Sequence, residues 1–379
     1  LKVPGESLET ALADFRPQLV GFTAMTCEAQ TVLKLAELVK QTLQARVVVG
    51  GVHAANDPEF FNRRQIDFIV VGLGKLSFCE LIKALERGET QPAIPGVACV
   101  TPDTALRWSA RSYQSADLVN HQPPRYDLVE RYRPAYCLDS LGLQLGLVSS
   151  AVGCPYDCHF CCIGPVSGGR YLTADTDAVV RDISLLADTP VIRLVDANSF
   201  GNPKAAFKLA DAIEQAGINK QYLADVRADL VVKHPELLKR WREVGLRAVV
   251  IGFEEIDDLA LGRMNKECQA DINRQAIDIL HQLGITIVGD FIIAPDYDEK
   301  QFDRLARFVC EQAIELPMYT VLTPLPGTRL HRELAPRISN HDLDFYTLTN
   351  AVMPTRLQEE LFYQRYAALI TEGHHQARL

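Results

Sequence analysis

The chain of 379 residues carries 39 Lys and Arg against 48 Asp and Glu, a formal charge of −9, with 47% hydrophobic and 23% charged residues. That is the mix of a globular protein with a core. It gives no global attraction to a nucleic-acid backbone, and no apolar run is long enough to span a bilayer. The length suggests two or three domains. The opening Leu1-Lys2-Val3-Pro4 lacks a basic region followed by an apolar core, so it does not read as a signal peptide, and it lacks an initiator Met. A trimmed N-terminus and a cytoplasmic protein without a transmembrane segment are the expectation.

In chain order, Gln18–Met25 reads as a buried strand and Glu28–Leu43 as a helix, with Val32, Leu33, Leu35, Leu38 and Val39 at helical spacing. Arg46–Val49 is the next strand, stopped by Gly50-Gly51. A short helix through Pro58–Arg64 leads to a strand at Asp67–Val71, closed by Gly72-Leu73-Gly74. Leu76–Arg87 is a helix and Gly96–Thr101 a last strand. Strands separated by helices predict right-handed βαβ units and a parallel, doubly wound sheet of the flavodoxin-like (Rossmann-type) kind over residues 1–105, where ligands bind at the carboxyl ends of strands. Polar residues and Pro123-Pro124 mark 106–138 as a linker.

A longer alternation follows over 139–335. Strands are expected at Leu143–Ser150, Val191–Asp196, Gln221–Arg227, Arg247–Glu254, Ile285–Ile293 and Met318–Thr323. Helices at Ala178–Leu186, Lys204–Ala216, Pro235–Val244 and Ile272–Leu283 lie between them, three ended by Gly217, Gly245 and Gly284. Six βα units predict a partial (βα)6 barrel of the TIM type, since about eight are needed for closure. Residues 336–379 form a C-terminal segment with a helix at Gln358–Thr371.

Of ten cysteines, Cys27, Cys79, Cys99, Cys137, Cys268 and Cys310 are scattered and are expected to be small buried hydrophobes. The other four fall between Cys154 and Cys162, where Cys154, Cys158 and Cys161 have the spacing Cys-x3-Cys-x2-Cys directly after the first strand of the second alternation. Three thiolates on one loop suit a soft metal centre. A four-iron cluster with an open iron, a zinc site with a further ligand, and core cysteines are the three readings. Cys162 adjoins Cys161, and neighbouring residues point in different directions. The later strands end in polar groups: Asp196 and Asn198 after the second, Arg227 after the third, and Glu254 with Glu255 after the fourth.

The cysteine loop at the first strand of such a barrel resembles the radical S-adenosylmethionine superfamily. The resemblance implies a [4Fe–4S] cluster on Cys154, Cys158 and Cys161, with S-adenosylmethionine chelated at the open iron and reductively cleaved to a 5′-deoxyadenosyl radical. It implies that Phe160 packs by the adenine, that Asp196 and Asn198 hold the methionyl amino group, that Arg227 pairs with its carboxylate, and that Glu254 lies near the ribose. An external electron donor of the flavodoxin or ferredoxin type is implied as well.

The preceding domain resembles the cobalamin-binding class of that superfamily through Gly21–Met25, Val49–Ala54 and Val70–Lys75. Thr23, Gly50, Gly51, Gly72 and Gly74 would contact cobalamin, the glycines by admitting close backbone approach. The family's Asp-x-His-x-x-Gly loop does not occur in this sequence, and Lys75 stands where the third loop usually ends in Glu. A domain that merely covers the barrel is the other reading. Stretches such as Leu283–Ile287, Ala294–Glu299 and Asn350–Leu357 are closest in appearance to the hopanoid C-3 methylase branch. The class implies cobalamin-dependent methylation of an unactivated carbon in a small-molecule or lipid-like substrate. Cyclisation, oxygenation or transfer of a different group of the cofactor is one alternative, and a non-catalytic iron–sulfur or cobalamin carrier is another.

Overall fold

The computed structural model describes residues 6–118, 122–135, 137–138, 143–266 and 268–376; the Leu1-Lys2-Val3-Pro4 stretch lies outside them. The chain divides into two compact units. One holds residues as far as Asp117 together with Phe160–Gly169 and Thr323–Val352; the other holds Leu118–His159, Arg170–Leu322 and Met353–Leu379.

In the first unit, β1 (Leu19–Thr23), β2 (Arg46–Gly50), β3 (Phe68–Val70) and β4 (Val97–Cys99) form one sheet in that order. Strands β1 to β3 are parallel, with Thr23 beside Gly50 and Val49 beside Ile69. The helix Ala29–Thr42 buries Ala29, Val32, Ala36 and Val39, a stripe with spacing of three and four residues, in the core that holds Val47, Val49 and Ile69. Leu343, Tyr346 and Val352 join the same core.

Strand β4 corrects the expectation of a wholly parallel sheet, because it runs antiparallel to β3. The helix Lys75–Glu86 is followed by a segment that has already returned to the start of that helix, where Ser77 Oγ donates to the Pro95 carbonyl at 2.8 Å. The chain therefore enters β4 from the end at which β3 finishes. Pro58–Phe61 is a single 3₁₀ turn rather than the expected helix through Arg64, and an unforeseen short helix occupies Val52–Asn56.

The second unit opens with β5 (Cys137–Leu138) and β6 (Leu143–Val148), followed by a small hairpin of β7 (Ala151–Gly153) and β8 (Tyr171–Thr173). Then come β9 (Val191–Leu194), β10 (Gln221–Val226), β11 (Leu246–Glu254), β12 (Thr286–Ile293) and β13 (Leu316–Val321). The sheet order is β13-β12-β11-β10-β9-β6-β5, with six consecutive parallel strands and β5 antiparallel at the edge. This is the expected partial barrel, and its helices lie between the strands in sequence. The last helix runs Glu359–Gln376.

The five scattered cysteines whose side chains are described are not fully buried. Cys27, Cys99 and Cys268 are half-buried, Cys79 and Cys310 are exposed, and the Cys137 side chain lies outside the described residues. Helical phase explains the exposed pair. Cys79 lies off the face made by Ser77, Leu81 and Ala84, and Cys310 follows the buried Phe308 and Val309.

Trp241 anchors the helix Pro235–Val244 to the barrel. It is fully buried, lies 4.9 Å from the Phe200 ring, and donates from Nε1 to the Ala206 carbonyl at 3.1 Å. Trp241→Ala should destabilise this unit by about 3–5 kcal/mol. Urea unfolding followed by circular dichroism checks this; an unchanged midpoint would contradict the packing.

Candidate functional site

The cysteine loop emerges from the β7–β8 hairpin, and the corner that launches it is held by one carboxylate. Asp196, 4% exposed, follows β9. Its Oδ1 accepts from the amides of Ser150 and Ala151 at 2.8 and 2.9 Å and from Ser149 Oγ at 3.1 Å, while Oδ2 accepts from Ser150 Oγ at 2.6 Å. The turn between β6 and β7 is thereby tied to the end of the neighbouring strand. Asn198, two residues on and 1% exposed, contrasts with it: neither side-chain nitrogen nor oxygen has a partner among the described residues. A buried amide left unpaired costs about 1–3 kcal/mol, which sets Asn198 apart from its fully bonded neighbour Asp196. The Tyr171 hydroxyl donates to the Asn198 carbonyl at 3.0 Å and fixes that backbone to the hairpin.

Cys158 lies in a clamp. On one side the Asp157 carbonyl accepts from Asn265 Nδ2 at 2.7 Å; on the other the His159 amide donates to the Met264 carbonyl at 3.0 Å. Arg227 Nη1 donates toward Cys158 Sγ at 3.6 Å. Burial pushes the Cys158 thiol up, and the Lys266 and Arg227 cations oppose that shift. Arg227 is itself engaged on every nitrogen: Nε donates to Asp229 Oδ1 at 2.9 Å and Nη2 to the Lys266 carbonyl at 2.6 Å. Its guanidinium carbon lies 3.5 Å from the centre of the Tyr156 ring, and the Tyr156 hydroxyl donates to Asp229 Oδ2 at 2.6 Å.

Glu254 ends β11 in the left-handed region, at φ 62°, where the register with β12 shifts between Gly252 and Glu254. A bulge re-aims a side chain, here onto Lys266, whose Nζ meets Glu254 Oε1 at 2.6 Å with both groups buried. A Cβ on Gly252 would come within 2.2 Å of that same oxygen, so glycine there leaves the space the pair occupies. Next to Gly252, the Asp290 carboxyl is pushed up to about 7 by burial and by the charges of Glu254 and Asp225. Asp225, paired with Arg193 at 2.6 Å, is raised by burial to about 6.

Among the described residues no three Cys, His, Asp or Glu side chains converge to hold a metal ion. Cys154 and Cys158 belong to the barrel unit, while Phe160, Cys161 and Cys162 belong to the segment grouped with the first unit. All four cysteines are partly exposed and outside any disulfide. Within the first unit, Asn56 Nδ2 donates to the Cys162 carbonyl at 2.9 Å. Three free thiols on one short loop are the donor chemistry of a thiolate-ligated cluster. Lys266, Asp229, Tyr156 and the Ser149-Ser150 pair escape sequence reasoning, although Tyr156 lies inside the motif and Asp229 only two residues past Arg227.

In the first unit, Thr23, Gly50 and Gly51, and Gly72 with Gly74, fall at or just past the carboxyl ends of β1, β2 and β3, along one edge of the sheet. Gly51 has φ 95°, and a Cβ there would meet Thr23 Oγ1 at 2.5 Å and the Ala24 amide at 2.8 Å. Glycine is therefore needed for the first two loops to touch. His53 is fully buried against Phe60 and Phe61, with neither ring nitrogen partnered among the described residues, and burial lowers its pKa.

Comparison with known proteins matches residues 1–82 to the B12 binding domain and residues 148–309 to the Radical SAM superfamily. The chain is 28% identical to the hopanoid C-3 methylase of Methylococcus capsulatus, over 93% of this chain and 67% of that protein. It is 29% identical to the anaerobic magnesium-protoporphyrin IX monomethyl ester cyclase of Cereibacter sphaeroides, over 93% of this chain but only 58% of the cyclase. The fold is that of the radical S-adenosylmethionine methyltransferase TsrM from Kitasatospora setae, a structure with cobalamin and a [4Fe–4S] cluster bound. The TM-score is 0.72 at 18% identity, covering 88% of this chain and 70% of that one.

Two outcomes follow from the geometry. Asp196→Ala strands the Ser150 and Ala151 amides and should cost about 1–3 kcal/mol for each unsatisfied donor, read as a lowered urea midpoint. Glu255 is raised from 4.5 to about 7 by burial, against hydrogen bonds from the Tyr297 hydroxyl and the Ile256 amide. The folded state then holds a proton that the unfolded chain releases, so stability is lost as pH rises from about 4.5 to about 7. Glu255→Gln should flatten that decline by roughly 1–3 kcal/mol in pH-dependent unfolding. A parallel curve would show that Glu255 does not titrate there.

Proposed function

With residues 148–309 matching the Radical SAM superfamily and residues 1–82 the B12 binding domain, we propose that the chain is a radical S-adenosylmethionine enzyme that methylates an unactivated carbon of a small-molecule or lipid-like substrate. The observation that carries this reading is the Cys154-x3-Cys158-x2-Cys161 loop, launched at the carboxyl end of the first parallel barrel strand with Cys158 clamped beside Arg227. When bound, the [4Fe–4S] cluster supplies the electron that cleaves S-adenosylmethionine to a 5′-deoxyadenosyl radical, and cobalamin carries the methyl group.

The chain's own residues bind and orient. Cys154, Cys158 and Cys161 would hold the cluster through their thiolates. Asn198 Oδ1, buried and unpaired among the described residues, would accept from the methionyl amino group of S-adenosylmethionine. Asp196 holds the corner on which the cysteine loop stands, and Glu254, held by Lys266 at 2.6 Å, would meet the ribose. Phe160 covers the adenine. Thr23, Gly50, Gly51, Gly72 and Gly74 would cradle cobalamin at the carboxyl ends of β1 to β3.

Three apolar side chains stand open on the barrel sheet, on the face that also carries Arg193 and Asp290. Leu147, Val195 and Met318 lie on or just past strands β6, β9 and β13 and are 39–48% exposed, on the face opposite the residues that bury under helices. None of the described helices is long and apolar enough to cross a membrane. An electron donor of the flavodoxin or ferredoxin type supplies the reducing equivalent. The described cysteines form no disulfide, in keeping with a cytoplasmic location. Ring closure is the second reading, favoured by the similarity to the cyclase along 93% of the chain.

Anaerobic reconstitution tests the proposal. Purified protein should bind iron and sulfide, and dithionite with S-adenosylmethionine should release 5′-deoxyadenosine. Cobalamin-dependent S-adenosylhomocysteine marks methyl transfer, and deoxyadenosine without it marks another outcome. Cys158→Ala should abolish deoxyadenosine; persistence of the product in that variant sinks the cluster assignment.

A further inference from the structure

Arg227 is placed to do something other than grip a substrate carboxylate. A guanidinium has five N–H donors in one plane, and a bidentate fork needs a free edge of that plane. Here the three nitrogens point to three separate partners: Nε to Asp229, Nη2 to the Lys266 carbonyl and Nη1 to the Cys158 sulfur. The Tyr156 ring covers one face at 3.5 Å, and the side chain is 8% exposed. Tyr156 closes the circuit by donating to the other Asp229 oxygen. The partner sulfur is equally fixed, because the backbone on both sides of Cys158 is bonded to Met264 and Asn265. The 3.6 Å contact is a hydrogen-bond distance for sulfur, whose radius exceeds that of oxygen, and both ends of it are immobilised.

On the reading that Cys158 is a cluster ligand, we propose that Arg227 is a positioning residue whose Nη1–H donates to the Cys158 thiolate and raises the reduction potential of the cluster. Reduction adds one electron, and so negative charge, to the cluster and its thiolates. A charge-assisted hydrogen bond to a ligand sulfur therefore stabilises the reduced state more than the oxidised state. The electron comes from an external one-electron reductant of low potential. Asp229 and Tyr156 act through Arg227 by keeping its Nη1 edge toward the sulfur.

The test is an anaerobic redox titration of reconstituted full-length protein, followed by electron paramagnetic resonance of the reduced cluster, with iron content measured in parallel. Arg227→Gln should keep the cluster and move its midpoint to lower potential. At a fixed potential near the wild-type midpoint, the reduced-to-oxidised ratio should fall about tenfold, which corresponds to about 59 mV for one electron. Arg227→Lys and Tyr156→Phe, which keep the positive charge but loosen its direction, should move the midpoint the same way by less. Equal midpoints in iron-replete Arg227→Gln and wild type overturn the proposal. Should Arg227→Gln fail to load iron, Arg227→Lys and Tyr156→Phe decide: a downward shift in either supports it, and unchanged midpoints in both overturn it. Wild-type protein that binds no cluster would instead overturn the functional reading on which the proposal rests.

Discussion

The site depends on a single buried carboxylate. Asp196 receives two backbone amides and two hydroxyls from the three residues that end β6 and begin β7. Buried amides at a strand corner have no ladder partner of their own, and an ionised acceptor meets that need more strongly than a neutral one. Because β6 and β9 are neighbours in the sheet, this bond also sets where the hairpin and its loop leave the barrel. The cysteine loop can be irregular because its base is not.

A second layer of order comes from charge. The mouth of the barrel unit holds Arg227 with Asp229, Glu254 with Lys266, and Arg193 with Asp225, each pair within 3 Å. The first two pairs are buried, and buried ions are costly unless paired and hydrogen-bonded, so each partner there constrains the other. The segment Met264–Lys266 links the set: its carbonyls and the Asn265 side chain bind the cysteine loop and Arg227, while the Lys266 ammonium binds Glu254. That leaves Asn198 as the buried polar side chain with both ends open and Asp290 as a carboxyl near neutrality.

How much could be read in advance varied by element. The long strands and helices were legible because their apolar spacing is regular. Strand β4 was not: a three-residue run carries no mark of direction, and the Ser77 to Pro95 bond that reverses the approach joins residues 18 positions apart. The hairpin β7–β8 hid because its halves flank the cysteine motif and are three residues each. The exposed Cys79 and Cys310 show that an apolar residue type does not settle burial when helical phase turns it outward. Arg227 and Glu254 were found as strand-end charges, but their partners Asp229, Tyr156 and Lys266 were not, since strand-end position says nothing about what a side chain meets.

The amino-acid sequence by itself determined the two α/β units, the open barrel of six parallel strands, and the cysteine loop at the end of the first of them. Those features rest on periodicity, glycine stops and the spacing of three thiols, all of which act over a few neighbouring residues. Only the tertiary structure decided which polar groups are satisfied and which stay unpaired among the described residues. Asp196 and Asn198 lie two residues apart and look alike on paper. One is saturated by Ser149–Ala151 and the other is unpaired, because hydrogen-bond partners at a strand end come from distant segments that only folding brings together.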